Sequence, residues 1–220
     1  MLKLQLKQKI GILIISLFGL SPGMALAGEL SEQASIKTLV DTLKAMKSLT
    51  AEFHQWVNDA KQSSLQDVTG KLWVQRPGQF RWDTNNPYPQ RIVANDDIIW
   101  VYDLDLDQVT KRKLGNEVGN TPALLLSGDP EKLSQSFDIS AYLFDETKEY
   151  RFDLRPKGED ALFELLRVHF LNGVLKDMYL QDSLGQTTQI EFSKQQHNQP
   201  VPQSVFDFTP PEGVDVITDM

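Results

Sequence analysis

The chain has no cysteine. That removes disulfides, thiolate nucleophiles and cysteine-built metal sites, and with them a lipid-modified N-terminal cysteine. Histidine is nearly absent as well. His54, His169 and His197 are the only three, too far apart for metal-ligand spacing, and they read as ordinary strand or loop residues. Basic charge is short: 22 Lys+Arg stand against 30 Asp+Glu, for a net charge of -8. A surface of that sign excludes nucleic acid and disfavours an anionic bilayer, both of which need a basic face. After the first 27 residues no apolar run approaches the ~20 residues of a membrane-spanning helix.

The first 27 residues stand apart. Lys3, Lys7 and Lys9 form a basic start, Ile10 to Leu20 an apolar middle, and Ala25-Leu26-Ala27 a small-x-small end. This is the pattern of a cleaved export signal, which makes Gly28 the mature N-terminus and residues 28–220 one domain. Without its three lysines the mature chain has 19 basic and 30 acidic side chains, a net -11. An exported chain of this length with no disulfide points to a bacterial periplasm and to a core that holds without staples.

Strand patterns dominate the mature chain. Ser31 can cap a helix over Glu32 to Lys47, whose Ile36, Leu39, Val40, Leu43 and Met46 repeat at helical spacing. From Ser48 the period becomes two, as far as about Asn58. Lys71 to Trp82 then reads as strand, corner, strand: Pro77 takes the first corner position and Gly78 the positive φ of a type II turn. Phe80 and Trp82 leave the second strand on one face and Arg81 on the other. Further strands are read at Gln90 to Ala94, Ile98 to Tyr102 and Gln108 to Lys113. Ile98 to Tyr102 is apolar on both faces, so both must be covered.

Thr121 to Gly128 reads as a short apolar helix, Pro122 in its first turn and Gly128 at a left-handed end. Lys148 to Arg155, Ala161 to Leu171, Val174 to Gln181 and Gln186 to Lys194 form a meander, with Asn172-Gly173 as its clearest hairpin corner. Phe206-Asp207-Phe208-Thr209 reads as a last strand, stopped by Pro210-Pro211. The fold expected is mainly β: a large, strongly curved, partly closed antiparallel sheet, with the N-terminal and mid-chain helices on its concave face.

Nothing in the chain reads as a catalytic centre, a metal site or a cofactor site. Gly19-Leu20-Ser21-Pro22-Gly23 matches a nucleophile motif but lies in the export signal. Asp103-Leu104-Asp105-Leu106-Asp107 lacks the glycine and the glutamate of a calcium loop and reads as a solvated edge. What the chain has in excess is apolar surface: Phe80, Trp82, Ile98, Trp100, Tyr102, Leu124, Leu125 and Leu126 exceed what one hairpin needs. A curved sheet closed by apolar helices can hold an apolar ligand. The residues alone leave a binder of apolar ligands and a plain β domain both open.

Leu72-Trp73-Val74-x-Arg76-Pro77-x-x-Phe80-x-Trp82, then Gly119-Asn120-Thr121-Pro122, then Phe206-x-Phe208-Thr209-Pro210-Pro211-x-Gly213-Val214 resembles the LolA family of outer-membrane lipoprotein carriers, in order and across the mature chain. The resemblance implies an incomplete, half-open antiparallel β-barrel whose two helices form a lid over an apolar cavity. It implies no enzymatic activity and no cofactor. It implies a monomer that takes acylated lipoproteins from an inner-membrane ABC transporter and passes them to the outer-membrane receptor LolB. Arg76 corresponds to a family arginine that bonds backbone carbonyls of the lid, here near Leu43, Leu126 and Ser127. Leu43, Met46, Phe80, Trp82, Trp100, Leu124, Leu125 and Leu126 would line the cavity. Ala123 departs from the pattern, where a bulky apolar residue is usual. An envelope-stress sensor built on the same sheet, or a periplasmic hydrolase, is the alternative reading.

Overall fold

The computed structural model describes residues 28–85, 87–95, 98–113, 125–144, 147–158, 161 and 163–219. The expected export signal and the first half of the helix expected over Thr121 to Gly128 lie outside the described residues. The strands are β1 (Gly28–Glu29), β2 (Ser48–Asn58), β3 (Ser64–Gln75), β4 (Gln79–Thr84), β5 (Gln90–Asn95), β6 (Ile98–Asp103), β7 (Gln108–Lys113), β8 (Phe137–Phe144), β9 (Glu149–Pro156), β10 (Phe163–Leu171), β11 (Val174–Asp182), β12 (Thr187–His197) and β13 (Asp215–Asp219). Helix α1 spans Glu32–Ala45, and a 3-10 turn, Pro130–Lys132, leads into the one-turn helix α2, Leu133–Ser136. All strands join one sheet in the order β1-β8-β9-β10-β11-β12-β2-β3-β4-β5-β6-β7-β13, which is not closed into a barrel.

Local chemistry explains most of these elements. Ser31 Oγ accepts the Ala34 N–H at 3.4 Å and starts α1. Asn172 and Gly173 turn β10 into β11 at φ 52° and 77°, the paired positive values that a type I′ corner demands. The Arg76–Pro77 peptide is cis and Gly78 has φ 73°. Gln75 of β3 pairs with Gln79 of β4, so the corner is the three residues Arg76 to Gly78 with proline in the middle, not at the first position of a type II turn.

The two faces of the sheet have different fillings. Toward α1, the inner face packs Leu39, Leu43 and Met46 against Ala51, Leu72, Val74, Phe80, Trp82, Ile92, Ile99, Ile139, Phe152, Leu166, Phe170 and Ile190 in one core. Gly70 makes room for it. Phe53 lies across the glycine and stacks on Trp82 with ring centroids 3.7 Å apart, and a Cβ on Gly70 would meet Phe53 Cζ at 2.3 Å.

On the outer face, Trp73, Arg81, Val93, Trp100 and Lys111 fall in register from β3 to β7. Residues 203–208 cross this face as a strap. Phe206 is buried, Phe208 packs on Trp100 and Tyr102 with centroids 5.6 and 6.1 Å away, and the Val205 carbonyl accepts from Arg81 at 3.2 Å. So β6 is covered on both sides, as its apolar sequence requires.

The strap corrects one expectation. Phe206 to Thr209 is not a strand; its alternation comes from lying over the sheet, which turns every second side chain down. Pro202, Pro210 and Pro211 bracket it and withhold ladder donors. The last strand is β13, which pairs with β7 in parallel, the one exception among the antiparallel neighbours. The segment β8 with α2 is unanticipated. Phe137, Ile139 and Ala141 alternate inward there against Asp138, Ser140 and Tyr142. Across β9, β10 and β11 the outer face is held by polar side-chain pairs instead of a strap. Arg167 forks onto Asp153 at 2.6 and 2.7 Å, and His169 sits between Asp177 at 2.7 Å and Glu149 at 3.0 Å.

Candidate functional site

The site is built where the β3–β4 corner meets the end of α1 and the segment that runs into the 3-10 turn. Helix α1 stops at Ala45, two residues before the expected Lys47, because the backbone is taken over by other partners. The Lys47 carbonyl accepts the Arg76 N–H at 2.9 Å. Asn198, just past β12, accepts the Lys47 N–H at 2.7 Å and the Ser48 N–H at 3.3 Å, and donates to the Ala45 carbonyl at 3.1 Å. The sequence does not single out Asn198, since an asparagine after a strand carries no signal of a partner 153 residues away.

From the same corner, the Gly78 N–H donates to the Ser127 carbonyl at 3.1 Å. The Arg76 guanidinium donates through Nη1 to the Gly128 carbonyl. Its Nε and Nη2 are buried with no acceptor among the described residues. Burial pushes Arg76 down to about 10 from its ordinary 12.5, against the opposing pull of Asp129. The group remains a cation at neutral pH, held in a place that solvates it poorly. The family pattern implies acceptors near Leu43, Leu126 and Ser127. Arg76 itself reaches Gly128, and the bond to Ser127 comes from Gly78. The part Gly128 plays here is that its carbonyl is the acceptor. Lys44 of α1 pairs with Glu131 of the 3-10 turn, so the helix and this segment are also joined at the surface.

Beneath these ties lie the apolar side chains. Leu43, Phe80 and Leu126 are fully buried, and Met46, Trp82 and Leu125 are 5, 4 and 2% exposed. Leu125 and Leu126 form a short helical turn. Phe80 and Trp82 are stacked at 6.3 Å. Trp100 does not join them: it points to the outer face, under Phe208 and against Lys111. Leu124 lies outside the described residues. Among the described residues, no group of three or more His, Asp or Glu is arranged to hold a metal ion. The arrangement is therefore an apolar inner face covered by α1 and residues 125–126 and tied down by hydrogen bonds at one corner.

Comparison with known proteins agrees with this architecture. The chain is 41% identical to the outer-membrane lipoprotein carrier protein of Azotobacter vinelandii, over 92% of this chain and 94% of that one. It is 43% identical to the protein of the same name from Pseudomonas fluorescens, over 86% and 91%. A solved structure from Thermus thermophilus, an uncharacterised conserved protein, superposes with a TM-score of 0.52 at 9% identity, over 86% of this chain and all of that one, and shares the fold. The model of the outer membrane lipoprotein carrier protein LolA matches residues 44–209, so the chain belongs to the LolA family.

Proposed function

We propose that this protein is a periplasmic lipoprotein carrier. The N-terminal 27 residues direct export and are removed. The mature protein accepts acylated lipoproteins released from the inner membrane by an ABC transporter, shields their acyl chains and delivers them as a monomer to the outer-membrane receptor LolB. The physical need is plain: each methylene taken out of water is worth about 0.8 kcal/mol, so an acyl chain does not cross an aqueous space unescorted.

The observation that carries this reading is the under-bonded Arg76 cation over a filled apolar face. With no cargo, α1 and Leu125-Leu126 occupy that face themselves. Acyl chains enter by displacing them, which breaks the Arg76–Gly128 and Gly78–Ser127 bonds. A charged hydrogen bond contributes roughly 1.5–3 kcal/mol. Reforming it when the cover closes favours release, so the cargo leaves for a receptor without an input of chemical energy.

The test is Arg76→Leu. The Gly128 carbonyl then lies unpaired in the closed state, and closing no longer favours release. The variant is expected to load lipoprotein from inner-membrane vesicles at the wild-type level, yet to pass it to purified receptor at least tenfold more slowly. Handover at the wild-type rate would remove Arg76 from the mechanism.

A further inference from the structure

Strand register places five hairpin corners at the end of the sheet opposite Arg76: the β9–β10 corner and, beyond it, a run of four. The four join β11 to β12, β2 to β3, β4 to β5 and β6 to β7, which are consecutive pairs in the sheet order. Neighbouring strands lie about 4.8 Å apart, so the corners follow one another at roughly 10 Å. Each carries one large apolar side chain in water: Leu184 is 84% exposed, Leu65 53%, Tyr88 56% and Leu106 69%. Of the exposed large apolar side chains elsewhere, Val174 is at the other end and Val216 and Ile217 are on edge strand β13. The corners touch in pairs. A Cβ on Gly185 would sit 3.2 Å from Ala60, and the Leu104 N–H donates to the Pro89 carbonyl at 3.1 Å. Between the Tyr88 and Leu106 corners an open cleft of about 510 Å³ is walled by Pro89, Leu104, Asp83 and Arg91.

Charge tells what this row can face. Among their described residues, and counting the strand ends beside them, the run of four holds Asp59, Asp103, Asp105, Asp107 and Asp182 against Lys61, and the β9–β10 corner adds Lys157. A second copy of the chain would bring the same acids and be repelled, and an anionic bilayer would repel them too. We propose that this row is a docking surface for a protein partner whose facing surface is basic and carries apolar side chains that seat between the tips. Docking there leaves the Arg76 corner free, so the partner need not compete with acyl chains for the covered face.

The test places a photo-crosslinking benzoylphenylalanine at Leu106, Leu184 or, as a control, Val174 of the full chain in a Gram-negative host. Expected is one common protein adduct from Leu106 and Leu184, absent from Val174. Its yield should fall at least fivefold in Asp105→Lys and Asp107→Lys backgrounds that keep the wild-type circular dichroism. Three results would overturn the proposal: tip adducts no stronger than those from Val174, tip adducts indifferent to the two charge reversals, or tips that cross-link lipid only. In a second arm, purified protein is floated with 3:1 phosphatidylethanolamine–phosphatidylglycerol vesicles. No flotation is expected, whereas flotation abolished by Leu106→Ser and Leu184→Ser would assign the row to a membrane instead.

Discussion

Single residues decide how the inner face is filled and how its cover is tied. Gly70 is the clearest. Its missing side chain lets Phe53 cross β3 and stack on Trp82, and a Cβ there would also sit 2.1 Å from the Asp83 carbonyl oxygen. Gly70→Ala therefore has to move both a ring and a strand backbone. Overpacking of this kind costs about 1–3 kcal/mol, and a lowered urea midpoint with an unchanged slope is expected; an unchanged midpoint would mean that the ring yields freely. Arg76 is legible as a candidate because an arginine at a Pro-Gly corner is more than a hairpin needs. Its acceptor is not, since the Gly128 carbonyl is 52 residues away and a backbone oxygen leaves no mark in a sequence. Trp100 shows the opposite failure. A tryptophan in a two-sided apolar strand belongs equally well to either face, and only the strap shows which.

Among the elements, β2 to β7 and β9 to β12 can be read because alternation, proline and glycine agree there. The strap cannot, because a segment laid over a sheet alternates just as one within it does. Phe206 is the strap's anchor, 1% exposed. Replacing a buried phenylalanine by alanine costs about 3–5 kcal/mol, and Phe206→Ala is expected to lose that much in urea unfolding and to expose the strap to protease. A variant as stable as wild type would mean that the strap is held by Arg81 and β13 alone. The end of β12 carries a pH dependence. Burial holds His197 below its ordinary 6.5, so between the folded value and 6.5 the unfolded chain binds the extra proton. The stability this contributes is complete above about pH 6.5 and is lost as pH falls through the folded value. His197→Gln is expected to shrink the drop in urea midpoint from pH 7.5 to pH 5, relative to wild type; an equal drop in both would assign it to other groups.

At the scale of the whole molecule, the chain divides into a sheet tied to itself and a cover tied to the sheet at one corner. The sheet is secured on the outer face by the strap on one half and by the Arg167–Asp153 and His169 pairs on the other. Helix α1 is secured at the corner by the Arg76–Lys47 backbone bond and by Asn198, and along its side by an exposed ion pair to Glu131. Exposed pairs of this kind contribute little. Under the proposed function the molecule opens by lifting the cover and not by parting the sheet, and local opening of this sort is read by amide exchange. Loading with a lipoprotein is expected to speed exchange at least tenfold in the second half of α1, around Leu43, while the amides of β10, β11 and β12 keep their protection. Equal protection of α1 in the empty and loaded protein would mean that the acyl chains reach the inner face without moving the helix, and the cover would then have to be residues 125–136 alone.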